Sequence, residues 1–352
     1  MGRKPRLDPS IFHLPVDRMR EGYYSDKYFV RARELLRKDG HRPRVTMQVF
    51  GKTAGLLGGI DEAIAILKLC SDRWDEVTVS ALHDGDPISP WETVLVIEGP
   101  YDAFAHLETL YLGVLARRTR VGTNTRAVVE AARPKQVMFF PARHDHWLVQ
   151  TGDGYAAHIA GAIGVSTDAQ ASWWGSEGIG TVPHALIAAY GGDTVLASKK
   201  FADLSDPGVA LITLVDFDND CVGTSLKVAR ALGSRLYGVR LDTSETLVDK
   251  SIVPQMGAFK PTGVNPQLVR NVRDALDREG FQQVKIVVSG GFTVEKIRAF
   301  EEQGVPVDMY GVGSSLFQGR FDFTADVVRV DGRDCAKVGR RFLPNPRLER
   351  VE

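Results

Sequence analysis

Residues 284–317 read VKIVVSGGFTVEKIRAFEEQGVPVDMYGVGSSLF, and this stretch decides the fold. VKIVVSGG (284–291) is a β-branched run that ends in a small-residue turn. Thr293 then stands as a helix cap, Ile297 and Phe300 are spaced for one buried face, and Gly304 is a stop signal. A second apolar run, VDMYGVG (307–313), follows at once. Strand, helix and strand in that order argue for parallel strands joined by a right-handed crossover.

The same rhythm extends backwards to about residue 135. NPQLVRNVRDALDREG (265–280) predicts a helix with Asn265 as cap, Pro266 in the first turn, and Leu268, Val272, Ala275 and Leu276 on one face. Strand-like runs are QVMFF (136–140), TVLA (194–197), ALITLVD (210–216) and LYGVRLD (236–242). The fold class is α/β, and the number of alternating elements is nearer to a barrel than to an open sheet. Before residue 120 the elements are more mixed. VTMQVFGKTAG (45–55) is β-rich, DEAIAILKLC (61–70) is helical, and TVLVIEGPY (93–101) is a buried strand. A further helix is expected after Asp102 as N-cap, with Phe104, Leu107, Leu110, Tyr111, Val114 and Leu115 on its buried stripe.

The chain of 352 residues suffices for one large domain and a smaller one. Lys and Arg number 44, as do Asp and Glu, so no global field favours nucleic acid or a membrane surface. Phosphorylated ligands would have to be held by local geometry. Cys70, Cys221 and Cys335 stand far apart and form no metal-like cluster, which suits a reducing compartment. The N-terminal stretch is basic but has no apolar signal-peptide core, and no run approaches the ~20 apolar residues of a membrane span. A cytoplasmic protein is expected.

Both turns of the opening stretch suit an anion. Glycine lets the backbone approach closely, and successive amide N–H groups can converge on phosphate oxygens. In α/β barrels the phosphate site is often built after the last two strands. Ser289, Gly290, Gly291, Gly311, Gly313 and Ser314 are therefore the phosphate-site candidates. One such motif alone would be read as a tight turn; two on adjacent strands favour a phosphorylated ligand.

Other strand ends are polar too. Asp216, Asp218 and Asp220 follow one strand, and Arg240 and Asp242 follow another. Arg240 suits a phosphate or carboxylate because its guanidinium can bind two oxygens at once. Asp216, Asp218 and Asp242 could hold Mg²⁺ through water or accept from ribose hydroxyls, whereas Asp220 reads as a solvated turn. FFPARHDHW (139–147) places Arg143, His144, Asp145 and His146 in what reads as an anion-binding loop rather than a metal site. His184 follows Pro183 at a helix start, and spacing alone leaves its role open.

Eight segments together resemble the nicotinate phosphoribosyltransferase family, especially its short archaeal and bacterial branch. They are YYSDKYF (23–29), GPYDAFAHLETLYLGVLA (99–116), ARHDHW (142–147), GTVPHAL (180–186), LVDFD (214–218), RLDTS (240–244), VSGGF (288–292) and YGVGSSL (310–316). The resemblance implies an irregular α/β barrel of the TIM-like, type II phosphoribosyltransferase kind with an N-terminal α/β domain. Expected boundaries are 1–120 for the N-terminal domain, 121–320 for the barrel, and 321–352 for a C-terminal segment packing back on the first domain. It also implies a homodimer with shared active sites.

By the same resemblance, Tyr28 matches a tyrosine that stacks on the pyridine ring, with Asp26 beside it. Arg143 and His144 match the loop lining the base and ribose. Arg240 and Asp242 match an Arg-x-Asp-Ser motif, which the family continues with Gly-Asp, whereas this chain reads Thr243-Ser244-Glu245. The Gly290–Gly291 and Gly311–Ser314 turns match the 5′-phosphate site. His184 matches a histidine that ATP-using members phosphorylate, and Asp216 a carboxylate that orients it; Ala185 stands where larger relatives have serine. The implied reaction joins nicotinate to phosphoribosyl pyrophosphate with Mg²⁺, ATP serving as co-substrate, on the way to NAD. Ser166 aligns with a base-pocket position that is aspartate in nicotinamide-using relatives, and a hydroxyl there avoids repelling a carboxylate. The alternatives are a nicotinamide or quinolinate phosphoribosyltransferase, and a non-catalytic phosphoribosyl or pyridine sensor.

Overall fold

The computed structural model describes residues 5–206, 208–257 and 259–352; the first four residues of the basic N-terminal stretch lie outside these. The chain divides into two compact units. The first comprises residues up to 123 together with 155–160 and 319–352, and the second comprises 124–154 and 161–318.

The first unit is built on an antiparallel sheet. β1 (Arg44–Gly51) lies between the late strand Phe323–Val330 and β3 (Thr93–Pro100), and β2 (Thr78–Ala81) pairs with the other edge of β3. Met47 stands opposite Ile97, and Val49 opposite Leu95 and Ala325. The helix Ile60–Cys70 buries Ile60, Ala63, Ile64, Ile66 and Leu67 against Val79, Leu95 and Ile97. The helix expected from Asp102 is broken into a turn at Tyr101–Phe104, a 3-10 segment at Ala105–Leu107 and the helix Glu108–Ala132. Asp102 does not cap it. Arg73 Nη2 lies 2.6 Å from its Oδ1 and Arg37 Nε 3.5 Å from its Oδ2. A buried carboxylate beside two guanidiniums gains more from those charges than from one backbone N–H.

Among the described residues the second unit holds six parallel strands, β4 (Gln136–Phe139), β5 (Gly164–Val165), β6 (Ile212–Leu214), β7 (Gly238–Leu241), β8 (Lys285–Val288) and β9 (Met309–Val312). Their spatial order is β5-β4-β9-β8-β7-β6. Val287 of β8 pairs with Met309 on one side and Arg240 on the other. The two outer strands share one connecting segment. Ile179 N–H donates to the Val165 carbonyl of β5 at 2.7 Å, and Val182 N–H donates to the Ile212 carbonyl of β6 at 2.9 Å. Residues 179–182 thus bridge both edges, giving an irregular barrel rather than a regular eight-stranded one. Met138, Ile212, Val287 and Met309, from four different strands, pack together with Phe140.

Helix punctuation follows side-chain chemistry here. Asn265 accepts from Leu268 N–H, and Thr293 from Lys296 N–H, so both cap as expected. Asp220 caps Cys221–Leu232 through Gly223 N–H, which accounts for that aspartate structurally. TVLA (194–197) is not a strand: Asp193 accepts from Leu196 N–H and starts the helix Thr194–Leu204. A strong cap outweighed the β preference of two residues.

Candidate active site

A cavity of about 870 Å³ opens at the C-terminal ends of the parallel strands. Arg143, His144, Ser166, His184, Arg240, Asp242, Ser289, Gly290, Gly291, Gly311, Gly313 and Ser314 all line it, brought from six separate stretches of chain. Residues at and just past the carboxyl ends of parallel strands face the crevice there.

At its centre is a three-residue network. Arg240 Nε donates to Ser289 Oγ at 2.7 Å, and Ser289 Oγ donates to Asp242 Oδ1 at 2.7 Å. Arg240 Nη2 reaches Asp242 Oδ2 only at 3.4 Å, while Nη1 donates to Thr181 Oγ1 at 3.2 Å. The guanidinium also stands over the Phe140 ring, 5.2 Å from its centroid. The Arg240 side chain is 16% exposed, and burial pulls its pKa below the usual arginine value although Asp242 and Asp216 oppose this. Such a cation, divided among neutral hydroxyls and one distant carboxylate, gains by meeting an anion.

The turn after β8 requires its glycines. Gly290 and Gly291 have φ of +85° and +66°, and a Cβ at Gly291 would overlap the Glu245 carboxylate. The end of β9 is tight for another reason: a Cβ at Gly311, within the strand, would lie 2.8 Å from the Phe140 ring.

His184 is the first residue of the helix His184–Ala189, after Pro183. Its Nε2 lies 3.0 Å from Asp216 Oδ1; the histidine side chain is 43% exposed and the aspartate 8%. The hydrogen bond to Asp216 raises the His184 pKa, with the charges of Asp216 and Asp242 adding to it and burial opposing. That bond orients the ring and leaves Nδ1 outside the pair. Asp216 stands behind the histidine and does not itself line the cavity.

Other candidates are placed differently. Asp218 is exposed in the turn after β6. His146 Nδ1 accepts from Leu148 N–H and its ring stacks on Trp147, so it caps a 3-10 turn while His144 lines the cavity. Among the described residues no group of three or more His, Cys, Asp or Glu could hold a metal ion. Ser166 Oγ donates to Gln170 Oε1 at 3.2 Å. Tyr28 and Asp26 belong to the first unit. Tyr28 is 62% exposed on the helix Lys27–Asp39, and Asp26 Oδ2 accepts from Thr109 Oγ1 at 2.8 Å. Thr181 and Phe140 line the cavity although the sequence pattern did not mark them, and Thr293, expected only as a helix cap, lines it too. Thr181 lies inside GTVPHAL, but only the bridging of β5 and β6 reveals its contact with Arg240.

No helix among the described residues is long and apolar enough to cross a membrane. The family model described as "Quinolinate phosphoribosyl transferase, N-terminal domain" matches residues 26–119. Nicotinate phosphoribosyltransferase pncB1 of Mycobacterium tuberculosis is 29% identical, over 88% of this chain and 73% of that one. A solved structure of nicotinate-nucleotide pyrophosphorylase from Pyrococcus furiosus superposes with a TM-score of 0.81 and 31% identity, covering 100% of this chain and 86% of that one. Human nicotinic acid phosphoribosyltransferase has the same fold, with a TM-score of 0.66 and 17% identity over 88% of this chain and 75% of that one.

Proposed function

Because the chain belongs to the nicotinate phosphoribosyltransferase family, an enzyme family of NAD biosynthesis, we propose that it forms nicotinate mononucleotide and pyrophosphate from nicotinate and phosphoribosyl pyrophosphate, with ATP hydrolysis. The observation carrying this reading is the Arg240–Ser289–Asp242 network beside two glycine turns and the His184–Asp216 pair. In this reading the turns at Gly290–Gly291 and Gly311–Ser314 bind the 5′-phosphate through backbone N–H groups. Asp242 faces the ribose as positive charge grows at C1 and the bond to pyrophosphate breaks, while Arg240 and Arg143 attract the anionic groups.

The pyridine nitrogen attacks C1 as pyrophosphate leaves, so no protein nucleophile is needed. The donor set suits Mg²⁺ held mainly by substrate phosphates and water, with Asp242 as the carboxylate on the cavity wall. When bound, the cation neutralises charge on the departing pyrophosphate. For ATP coupling, His184 accepts the phosphoryl group at Nδ1 while Asp216 holds the Nε2 proton. Tyr28, with Asp26, stacks on a pyridine ring within a homodimer whose subunits share active sites; its exposure supports this role.

A second reading, quinolinate as substrate, is raised by the Pyrococcus furiosus protein's name. Two carboxylates and a phosphoribosyl group would call for more cations than Arg143 and Arg240 with the two histidines in this cavity. The deciding experiment supplies phosphoribosyl pyrophosphate and Mg²⁺ with nicotinate, nicotinamide or quinolinate, with and without ATP, and measures mononucleotide. Nicotinate mononucleotide formed faster with ATP supports the proposal. Product from another base alone refutes its substrate, and binding of nicotinate and phosphoribosyl pyrophosphate without turnover points to a sensor.

A further inference from the structure

We infer that Lys296, which does not line the cavity, is the positioning residue that aims the Gly290–Gly291 peptide at a ligand phosphate; this rests on the phosphoribosyl reading of the cavity. Lys296 lies on the helix Val294–Glu302, one turn beyond the glycines. Its Nζ donates to the Gly290 carbonyl at 3.3 Å, stands 4.4 Å from the Phe292 ring centroid, and lies 4.0 Å from Glu245 Oε1.

The consequence follows from peptide geometry. In a trans peptide the carbonyl and the N–H point in opposite directions. The Gly290 carbonyl and the Gly291 N–H share one such peptide. Lys296 and Glu245 are absent from the cavity wall, whereas Gly290, Gly291 and Thr293 form part of it. Holding the carbonyl on the Lys296 side therefore turns the Gly291 N–H towards the cavity. The opposite orientation would present a carbonyl oxygen to phosphate oxygens and repel them.

Two successive glycines make that choice necessary. Without Cβ atoms, the peptide between them can flip at little steric cost, so the residues that allow close approach to phosphate leave its direction undetermined. A clamp from outside the turn supplies the direction. Lys296 suits this task because its ammonium is held by the Phe292 face, the Gly290 carbonyl and Glu245 together. Burial lowers its pKa, with Lys260 acting the same way and Glu245 opposing.

The test titrates the full chain with ribose 5-phosphate and, separately, with nicotinate by calorimetry, for wild type, Lys296→Met and Lys296→Arg. Loss of one charge-assisted hydrogen bond should weaken ribose 5-phosphate roughly tenfold in Lys296→Met. Nicotinate binding and melting temperature should stay at wild-type values, and Lys296→Arg should recover most of the loss. If Lys296→Met does not fold, Lys296→Gln shortens the same clamp and should give the same selective loss. Unchanged ribose 5-phosphate affinity, or equal loss of both ligands, overturns the positioning role alone. Failure of the wild type to bind ribose 5-phosphate overturns the phosphoribosyl reading, and the inference falls with it.

Discussion

In the first unit, Arg73 lies 2.6 Å from Asp102, whose side chain is 2% exposed, with Arg37 and Glu76 close by. In the second, Arg240 meets its aspartate only at 3.4 Å and spends its other donors on Ser289 and Thr181. Both guanidiniums lose hydration, yet their pKa values move in opposite directions. Burial works against Arg73, but the hydrogen bond and charge of Asp102, helped by Glu76 and Asp72, hold it above the usual value. Burial of Arg240 prevails over Asp242 and Asp216, and Arg143 pushes the same way. A short pair on a buried carboxylate supports the fold. A long, divided pair beside an 870 Å³ cavity is prepared for an anion.

The largest test exchanges these two roles. Arg240→Met should lower kcat/KM by roughly 10³-fold through lost charge stabilisation while the protein stays folded. Asp102→Ala should instead cost about 2–3 kcal/mol of stability, because two partly exposed arginines lose their partner, with catalysis by the folded fraction retained. Chemical denaturation and steady-state kinetics on both variants check this. The comparison breaks if Arg240→Met mainly unfolds the protein, or if Asp102→Ala folds normally but is inactive.

His184 sharpens the comparison through pH. Its folded pKa is raised chiefly by the Asp216 hydrogen bond, so the pair's stabilising effect is full below the unfolded histidine pKa and is lost as pH rises through the folded one. On the proposed ATP-coupled reading, phosphoryl transfer to Nδ1 requires the neutral ring. ATP stimulation should therefore fall as pH drops through the folded pKa, and Asp216→Asn should move that acid limb to lower pH. An unmoved limb, measured as the ratio of rates with and without ATP, would remove Asp216 from this role. His184→Ala should abolish ATP stimulation while sparing transfer without ATP.

The smallest effects concern the glycines at the ends of β8 and β9. Gly291→Ala must tolerate a positive φ and contact with Glu245, and should raise KM for phosphoribosyl pyrophosphate about tenfold. Gly311→Ala presses only on the Phe140 ring, which can shift, so a change of about threefold is expected. Comparable losses in both would mean that backbone direction matters no more than space.

Much of the candidate site was legible because its chemistry sits at strand ends. Ser289, Gly290, Arg240 and Asp242 each follow a run of apolar residues, and strand polarity alone points such residues to one rim. The helix caps Asn265 and Thr293 were legible for the same local reason, since a side chain reaches an N–H three residues on. TVLA misled because four residues carry too little pattern to oppose the Asp193 cap. Asp102 misled because its deciding partner, Arg73, stands 29 residues away in the chain.

The amino-acid sequence by itself determined the alternation of strands and helices, the two glycine turns and the polar residues that close each strand. These depend on side-chain periodicity and on contacts a few residues long. Only the tertiary structure decided that Ser289 links Arg240 to Asp242, that residues 179–182 join β5 to β6, and that Lys296 holds the Gly290 carbonyl. The first two join separate strands, and the third fixes a peptide whose direction glycine leaves free. Distance along the chain carries no information about such meetings until packing brings the partners together.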